Sequence, residues 1–415
     1  MVAVLNRHHL TLLLLAVAEL LGMSLWFSAN AVSEEFQQLW GLSQEQAGWL
    51  TAVVQLGFVA GTATAAVLNL ADIVPSRTYF AVSALLGAVA NAGLVVAPSY
   101  GAALTLRFAT GFFLAGVYPP GMKMAATWFK DGRGFAIGTI VGALTVGKAA
   151  PYLMNAWIPG GIGPVVLSVS GGAIVAAMLV QWAYRDGPYA FARRPFSWSL
   201  VGTVLRHREM RLVTGGYLGH MWELYAYWTW IPAFLAASVA HGAGVGSSSV
   251  SASAVGTVAF AAIAVGGFGC LWGGWMADRI GYPQLVVRAL AVSGTCALLV
   301  GALFGTSLWI VAPVTLIWGF FVIADSAQFS AMVTEVVPPH TVGTALTIQT
   351  SLGFLLTMLT IQLVPAIATA GGWRWAFAVL TLGPAFGIWS ITRLGRRPAG
   401  ACGDVGEQET NDANL

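Results

Sequence analysis

Six ionisable side chains lie inside long apolar stretches of this chain, where charged groups are rare. Three are acidic and three are basic: Glu19, Glu223, Asp325, Arg107, Lys123 and Lys148. Each would cost about 2.5–3.5 kcal/mol at the centre of a membrane helix, so we expect these groups to face one another or a wet cavity. Buried cations attract anions and buried carboxylates exchange protons, which is the chemistry of coupled transport across a membrane.

The composition explains why these charges are exceptional. Of the 415 residues, 57% are apolar and only 8% are charged, whereas about a quarter of the residues of a soluble globular protein are charged. A water-soluble fold is therefore excluded. Apolar runs of roughly 20 residues predict transmembrane helices. Twelve spans are predicted, numbered here in chain order: 10–31, 47–70, 79–97, 102–129, 135–158, 164–184, 212–240, 250–276, 285–304, 308–333, 343–367 and 373–392.

The basic residues outside the spans predict the orientation. Fifteen of the 19 Lys and Arg residues fall in alternate gaps between spans, and the intervening gaps hold one, Arg374. Basic residues remain on the cytoplasmic side, so we predict a multi-pass protein of the plasma (inner) membrane with both termini in the cytoplasm. We call the basic face inner and the opposite face outer. The basic residues form no single patch, so no nucleic-acid partner is expected.

The longest inner connection predicts two domains. We expect an N-terminal six-helix bundle over 1–184, a cytoplasmic linker over 185–211, a C-terminal six-helix bundle over 212–397 and a disordered tail over 398–415. The three cysteines do not indicate a disulfide framework, because two lie inside spans and one lies in the tail.

The two halves resemble each other in sequence. Similar residues recur at nearly constant offsets of 206 to 209 residues and at equivalent topological positions: Asp72 with Asp278, Gly111 with Gly319 and Gly134 with Gly343. This pattern predicts a duplicated six-helix unit, the arrangement in which some transporters build a central cavity between two rocking halves.

One inner loop carries a recognisable motif. The segment from Gly274 to Gly281, with Asp278 and Arg279 between them, resembles the G-x-x-x-D-R-x-G loop of the major facilitator superfamily. We expect Gly274 to allow close helix approach, Asp278 to cap a helix or form an ion pair, and Gly281 to adopt a positive φ. The resemblance covers about residues 10–392. It implies an all-α membrane fold of twelve helices in two pseudo-symmetric six-helix bundles.

The matching first-half loop departs from this motif. It keeps Asp72 and Arg77 but has Leu68 at the first glycine position. The resemblance implies that the two loops gate the inner face, so gating by the first one is in doubt. Arg107 begins a second short match, in which the family arginine is often linked to proton coupling. The family also implies that spans one, four, seven and ten line the cavity.

Spacing suggests roles for side chains in span one. Glu19 is followed by Gly22, Trp26 and Asn30 at spacings of three, four and four residues, which share one face of a regular helix. We interpret this face as lining the cavity, with Glu19 as a proton site and with Trp26 and Asn30 contacting substrate. The alternative is that Glu19 pairs permanently with Arg107 or Lys148 to hold helices together.

Span seven carries a polar stripe among aromatic residues. His220, Glu223 and Tyr227 lie at i, i+3 and i+7. A histidine and a carboxylate one turn apart can exchange protons. His220 and Glu223 are therefore predicted proton-coupling groups, with Tyr227 as a substrate contact.

The remaining intramembrane groups complete the predicted site. Asp325, whose first-half counterpart is Val117, is predicted to couple protons, and Gln328, one turn later, to contact substrate. Lys148 and Arg107 are predicted anion contacts, whereas Lys123 can reach the inner interface by snorkelling.

A break in span four is also expected. Arg107 and Lys123 are 16 residues apart and would face away from each other on a regular helix. A break at the Pro119-Pro120 pair could rotate the second half of the span.

These features predict a secondary active transporter, not an enzyme, that moves a small anion by alternating access coupled to protons. The expected partners are a small-molecule substrate and the bilayer, the expected state is a monomer, and no cofactor beyond a proton gradient is expected. The alternative is a proton-driven drug exporter, whose span-five signature is only half matched by Gly138 and Gly147. A binding protein that moves no solute is a further alternative.

Overall fold

The computed structural model describes residues 2–129, 133–158, 160–189, 197–243 and 250–394. The side chains of residues 2–6, 71, 72, 133 and 243 are not described. The predicted tail over 398–415 and part of the predicted linker lie outside these ranges. Every regular element within them is a helix.

The first six predicted spans are helices close to their predicted bounds. Span one consists of two helices, span three ends in a 3-10 turn, and span four is again divided in two. Their bounds are Val2–Met23 and Ser28–Ala31 (one), Gln44–Val67 (two), Ser76–Ala92 with Gly93–Val96 (three), Tyr100–Leu114 and Tyr118–Ala126 (four), Arg133–Trp157 (five) and Ile162–Ala183 (six). Short helices at Ser33–Trp40 and Leu70–Ile73 lie in the connections.

The second six spans follow a short helix, Trp198–Arg206, in the linker. Their bounds are Arg208–Ala243 (seven), Ala252–Ala264 and Gly266–Ile280 (eight), Tyr282–Ala302 (nine), Leu308–Ala324 and Ser326–Val336 (ten), Pro339–Thr341 with Val342–Gly371 (eleven), and Trp373–Ala376, Ala378–Thr381 and Leu382–Thr392 (twelve).

Ten of the twelve spans are long and apolar enough, by composition alone, to cross a membrane. The other two are span one, which is interrupted after Met23, and span seven, which is rich in Trp and Tyr and carries His220 and Glu223. Both are helical over lengths that suit a bilayer. The prediction of an all-helical, twelve-span membrane fold is confirmed.

The duplicated unit is visible in side-chain detail at one constant offset of 208 residues. Ser43 caps the start of span two by accepting a hydrogen bond from the backbone of Gln46, and Ser251 caps span eight in the same way through Ala254. Such caps satisfy backbone N–H groups that have no partner within the helix. The same turn chemistry therefore begins the equivalent helix in each half.

The close contacts between helix backbones also recur 208 residues apart. A Cβ atom at Gly111 of span four would overlap the carbonyl oxygen of Val54 in span two. A Cβ atom at Gly319 of span ten would overlap the carbonyl oxygen of Ala262 in span eight. Both partners, as well as both glycines, are 208 residues apart. Glycine is required here because the backbones touch, and the repeat predicted from the sequence is a repeat of packing.

The breaks in spans four and ten are also equivalent. Val117 lies directly before the second helix of span four, and Asp325, 208 residues later, lies directly before the second helix of span ten. Pro119 and Pro120 fall in the first turn after the break, where the missing N–H of proline is not needed. The predicted break in span four is therefore present, slightly before the proline pair.

The two bundles meet along two helix pairs. Span two packs against span eleven, and span five packs against span eight. In the second pair, a Cβ atom at Gly142 would lie 3.0 Å from the carbonyl oxygen of Gly267, so the two helices approach to backbone contact. These two seams flank the space between the bundles.

Candidate functional site

A cavity lies between the two bundles, with about 420 Å³ of empty space including the part open to solvent. Its lining comes from spans one, two, four, five, seven, ten and eleven: Met23, Trp26, Phe58, Tyr118, Val141, Leu144, Lys148, Met221, Leu224, Tyr225, Trp228, Ile323, Ser326 and Phe354. Spans one, four, seven and ten contribute as the resemblance implied, and spans two, five and eleven contribute as well.

Lys148 is the one cation on this lining. Its side chain is 2% exposed, and its ammonium donates a 2.6 Å hydrogen bond to the Tyr225 hydroxyl. The Nζ atom lies 4.1 Å from the ring centroid of Trp26, 4.7 Å from that of Tyr225 and 5.0 Å from that of Trp228. Three aromatic faces stabilise the positive charge and leave it without a carboxylate partner among the described residues.

Glu19 is buried near Lys148. The two groups interact electrostatically, and Glu19 also interacts with Tyr118. Neither carboxylate oxygen has a hydrogen-bond partner within the described residues. Gly147 explains why these groups come together: a Cβ atom there would overlap the carbonyl oxygen of Leu20, so spans one and five touch beside both charges. Glu19 and Lys148 therefore lie close together, where spans one and five touch.

The side chains predicted to share one helix face of span one do not lie on one continuous helix. The helix ends at Met23 and resumes at Ser28, so regular helical spacing does not carry from Glu19 to Asn30. Trp26 nevertheless lines the cavity. Gly22 packs against Val117 of span four. Asn30 lies on the outer side of the cavity.

Arg107 occupies the break in span one instead of the cavity lining. It is fully buried. Its nitrogens donate to the carbonyls of Leu25 and Leu50 at 3.0 Å each, to the carbonyl of Trp26, and to two side-chain oxygens of spans one and three. The carbonyls of Leu25 and Trp26 belong to the segment between the two helices of span one. Arg107 thus ties spans one, two and three together.

A cross-bundle network closes the outer side of the cavity. The Asn30 amide donates to the Tyr152 hydroxyl at 2.7 Å and to the backbone carbonyl of Thr229 at 2.9 Å, and accepts from Thr51 at 2.8 Å. Tyr152 also donates to the carbonyl of Trp228 at 3.3 Å. We call Asn30, Thr51, Tyr152 and Thr229 the outer network, because they join spans one, two and five to span seven.

The C-terminal bundle holds the other intramembrane acids. Asp325 lies 2.9 Å from Nδ1 of His220, across spans seven and ten. Glu223 accepts hydrogen bonds from Ser293 at 2.8 Å and from the indole of Trp318 at 2.6 Å. The histidine therefore faces Asp325 and not Glu223, the partner that sequence spacing suggested. Neither acid is on the cavity lining, although Ser326 and Leu224, their neighbours in sequence, are.

Two other predicted substrate contacts also lie behind the cavity wall. The Tyr227 hydroxyl is bonded to the backbone carbonyls of Thr315, at 2.7 Å, and Ala262, at 3.2 Å. Gln328 is buried, and its Oε1 atom has no hydrogen-bond partner within the described part of the chain. Lys123 is partly buried and not on the lining. Of the six predicted substrate contacts, Lys148 and Trp26 reach the cavity.

Sequence reasoning missed the aromatic part of the lining. Tyr225 and Trp228, three residues apart in span seven, were not among the predicted substrate contacts. Phe58 and Phe354 pack against each other across the two bundles, with tilted rings whose centroids lie 4.7 Å apart. The signal available for Tyr225 and Trp228 was that they lie on the same face of span seven; the sequence held no comparable signal for the two phenylalanines.

A family match decides what this architecture is. Residues 12–361 match the sequence profile described as the Major Facilitator Superfamily. The chain belongs to the major facilitator superfamily. No curated protein sequence matches it. Solved structures share its fold: a mutant of the nucleoside transporter NupG aligns with a TM-score of 0.68 and 12% identity over 93% of this chain and 100% of the other.

A bacterial homologue of the human lysosomal transporter Spinster also shares the fold. Its inward-facing, unoccupied form aligns with a TM-score of 0.68 and 16% identity over 94% of this chain and 99% of the other. The inward-facing, occupied form gives a TM-score of 0.67 and 16% identity over 92% and 96% of the two chains. At these identities, the likeness concerns the fold.

The superfamily loop between spans eight and nine differs in part from the sequence-based expectation. Gly281 has a φ of 85°, as predicted, and ends span eight. The close helix approach, however, occurs at Gly273, where a Cβ atom would overlap the carbonyl oxygen of Ala324; a Cβ atom at Gly274 would meet nothing within 4 Å. The expectation for Gly274 was wrong by one residue, because the glycine that faces span ten is its neighbour.

The charged residues of this loop are exposed. The guanidinium of Arg279 stacks on the ring of Trp275, 3.6 Å from its centroid. Asp278 makes no hydrogen bond or ion pair with another described residue, so the predicted cap or ion pair is not formed there. In the first-half loop, Asn69 adopts a φ of 50°, a conformation that asparagine tolerates. Arg77 is exposed, and the Asp72 side chain lies outside the described residues.

Proposed function

We propose that this chain is a secondary active transporter that moves a small anion together with a proton by alternating access. One observation carries the proposal: the ammonium of Lys148 is buried on the cavity wall and makes no direct ion pair with a described carboxylate, and Glu19 interacts with it only from a greater distance. A buried charge is strongly unfavourable unless a partner lies in contact with it. An anionic substrate would supply that direct partner.

Glu19 supports the coupling to protons. Its carboxylate lies close enough to interact with Lys148 and has no hydrogen-bond partner within the described residues. In the empty protein, ionised Glu19 balances the charge of Lys148. When an anion binds Lys148, a proton on Glu19 restores the same net charge. The empty and fully loaded forms are then equally neutral, whereas binding of the anion or the proton alone leaves a buried charge uncompensated.

This charge balance explains why the two ligands would move together. The forms that change conformation most readily are those in which the closed cavity carries no net charge, because a buried charge is unfavourable. One proton would accompany each monovalent anion, and transport would be electroneutral. The outer network would open when the cavity is exposed to the outside and re-form when it is exposed to the inside.

The placement of the charges favours anion transport over cation export. A lipophilic cation would need an acid on the cavity wall, but the lining carries Lys148, and Glu19 lies behind it. The cation on the wall would repel such a substrate. Three aromatic rings already surround the ammonium, so a second cation could not use them without displacing it.

We further propose that the protein resides in the plasma (inner) membrane as a monomer with both termini in the cytoplasm. The distribution of Lys and Arg supports this orientation. Fusion of green fluorescent protein to the C-terminus should give fluorescent cells, and fusion of alkaline phosphatase there should give inactive enzyme. Active phosphatase would contradict the orientation.

The proposal is tested by proton uptake into proteoliposomes that contain a trapped pH indicator. A suitable anion added outside at equal internal and external pH should acidify the lumen, at the same rate whether or not a membrane potential is imposed. Lys148→Met should abolish this signal. Arg374→Gln, which removes an exposed cation of an outer loop, is the matched control. Acidification by lipophilic cations alone, or a signal that survives Lys148→Met, would contradict the proposal.

A further inference from the structure

Two buried indole N–H groups beside Lys148 have no hydrogen-bond acceptor within the described residues. They belong to Trp26 and Trp228, which are 0% and 1% exposed. Both rings line the cavity, and their centroids lie 4.1 and 5.0 Å from the ammonium of Lys148. The unpaired donors are therefore gathered around the one cation of the cavity wall.

Three other tryptophans of the C-terminal bundle do have an acceptor within the protein. The indole of Trp222 donates to the Val379 carbonyl at 3.1 Å, that of Trp230 to the Ile361 carbonyl at 2.8 Å, and that of Trp318 to Glu223 at 2.6 Å. Buried N–H groups in native proteins nearly always have an acceptor. Two that lack one on the same cavity wall indicate that the acceptor is supplied by a ligand.

The chemistry of the wall specifies the acceptor. Lys148 and both indoles can only donate hydrogen bonds. Tyr225 accepts from Lys148, which leaves its own O–H free to donate. A group that only accepts hydrogen bonds and carries negative charge fits such a set, and a carboxylate has two oxygens to share among these donors.

The remainder of the lining specifies the body of the ligand. The rings of Phe58 and Phe354 pack against each other in a tilted arrangement with centroids 4.7 Å apart, and both pack against Trp26, at 5.1 and 5.8 Å. Met23, Met221 and Leu224 complete an apolar wall. A second cation is absent from the lining, so a second negative charge on the ligand would remain uncompensated. A small inorganic anion would leave the aromatic surface without a partner.

We infer that the substrate is a small organic monoanion with one carboxylate and a flat, apolar body. The carboxylate accepts hydrogen bonds from Trp26, Trp228 and Lys148, and the body packs against the aromatic wall. This inference rests on the proposed function, because it names the substrate class of the same site. It makes the two indole N–H groups determinants of specificity.

A panel of probes tests the substrate class on the purified full-length protein by equilibrium binding. Benzoate should bind at least about tenfold more tightly than acetate or nitrate. Benzamide, which is neutral, and phthalate, which carries two charges, should bind at least about tenfold more weakly than benzoate. Tighter binding of nitrate or phthalate, or no binding of benzoate, would overturn the inference while leaving anion transport intact. Binding of tetraphenylphosphonium alone would overturn the proposed function itself.

Tryptophan variants then separate hydrogen bonding from packing. Trp26→Phe and Trp228→Phe should each weaken benzoate and acetate by the same factor, about tenfold, because both probes present the same carboxylate. A ring that only packs against the ligand would affect benzoate and leave acetate unchanged, and this result would overturn the inference. Trp222→Phe, which loses an indole bonded elsewhere, is the matched control and should bind both probes as the native protein does.

Discussion

The charges of the two bundles differ in whether the protein itself satisfies them. In the N-terminal bundle, Glu19 and Lys148 lie beside the cavity. Among the described residues, neither forms an ion pair and the Glu19 carboxylate accepts no hydrogen bond. In the C-terminal bundle, Glu223 accepts two hydrogen bonds, and Asp325, whose oxygens accept no hydrogen bond from the described residues, lies 2.9 Å from Nδ1 of His220. Glu19 and Lys148 thus have no charged group in contact within the described structure, whereas Glu223 and Asp325 each have a close partner within their own bundle.

The repeat makes this difference informative. Caps, close glycine contacts and helix breaks recur at an offset of 208 residues, but the charges do not. The counterpart of Asp325 is Val117, and the counterpart of Lys148 at the offset of Gly134 and Gly343 is Thr357, whose hydroxyl bonds to its own helix. The duplicated residues build the scaffold, and the residues present in one copy carry the chemistry.

The largest effect on stability is expected at Arg107. Arg107→Leu would remove five hydrogen bonds, three of them to backbone carbonyls of spans one and two, and each charged hydrogen bond contributes about 1.5–3 kcal/mol. We expect the free energy of unfolding to fall by more than about 3 kcal/mol, which is detected as a lower thermal unfolding midpoint in detergent. The midpoint of Arg107→Lys should lie between those of the native protein and Arg107→Leu. An unchanged midpoint would show that Arg107 is not structural and would return it to the list of anion contacts.

The opposite pattern is expected at Lys148. Lys148→Met should lower the transport rate at least about a hundredfold, about 2.7 kcal/mol, and lower the thermal midpoint less than Arg107→Leu does, because Lys148 donates one hydrogen bond and Arg107 donates five. Rates in proteoliposomes and midpoints in detergent are to be measured on the same preparation. A strongly lowered midpoint would mean that Lys148, like Arg107, holds the bundle together.

Glu223 provides the corresponding test in the C-terminal bundle. Glu223→Leu would leave the Ser293 hydroxyl and the Trp318 indole without their acceptor, at a cost of about 1–3 kcal/mol. Glu223→Gln keeps acceptors at this position and should lose less than half of that. Glu335→Leu, which replaces an exposed acid, is the control. Equal midpoints for Glu223→Leu and the native protein would remove the distinction between the two bundles.

A smaller effect is expected at the outer network. Asn30→Ala would remove hydrogen bonds that join the bundles, each worth about 1 kcal/mol, and should raise the ratio of outward-open to outward-closed molecules about fivefold. Spin labels at Gln38 and His241, in protein whose native cysteines are replaced, would report the outer distance by pulsed electron resonance. Gln37→Ala, in the next helix, Ser33–Trp40, and away from the network, is the control. An unchanged distance distribution would show that the network does not hold the outer side closed.

The fold was predictable because its determinants are local and repeated. Apolar runs marked all twelve spans, and residues such as Gly111 and Gly319 revealed the duplication, because each position must be small for the backbones to touch. The partners of buried charges were less predictable. Helical spacing paired His220 with Glu223, but the fold places Asp325 of span ten nearer, and no pattern within one span contains that information.

The sequence predicted those site residues whose types are rarely buried in a membrane. It did not predict those whose types are common in membrane helices. Lys148 was identified because it is a charged residue within a span, and Trp26 because it lies at helical spacing from Glu19 and Asn30. Tyr225 and Trp228 were not, because aromatic residues in membrane helices are abundant and mostly pack. Because span one is broken after Met23, Glu19 and Asn30 do not share one regular helix face, and Asn30 lies on the outer side of the cavity.

The most direct test of the central claim is anion accumulation driven by an imposed pH gradient, compared between Glu19→Gln and Glu223→Gln. The anion is the one that acidifies the lumen most strongly with the native protein. Glu19→Gln should lose accumulation but still exchange labelled for unlabelled anion, because it mimics the protonated carboxyl permanently. Glu223→Gln should accumulate within about threefold of the native protein. Accumulation that survives in Glu19→Gln, or is lost in Glu223→Gln alone, would contradict the assignment of the coupled proton to the N-terminal bundle.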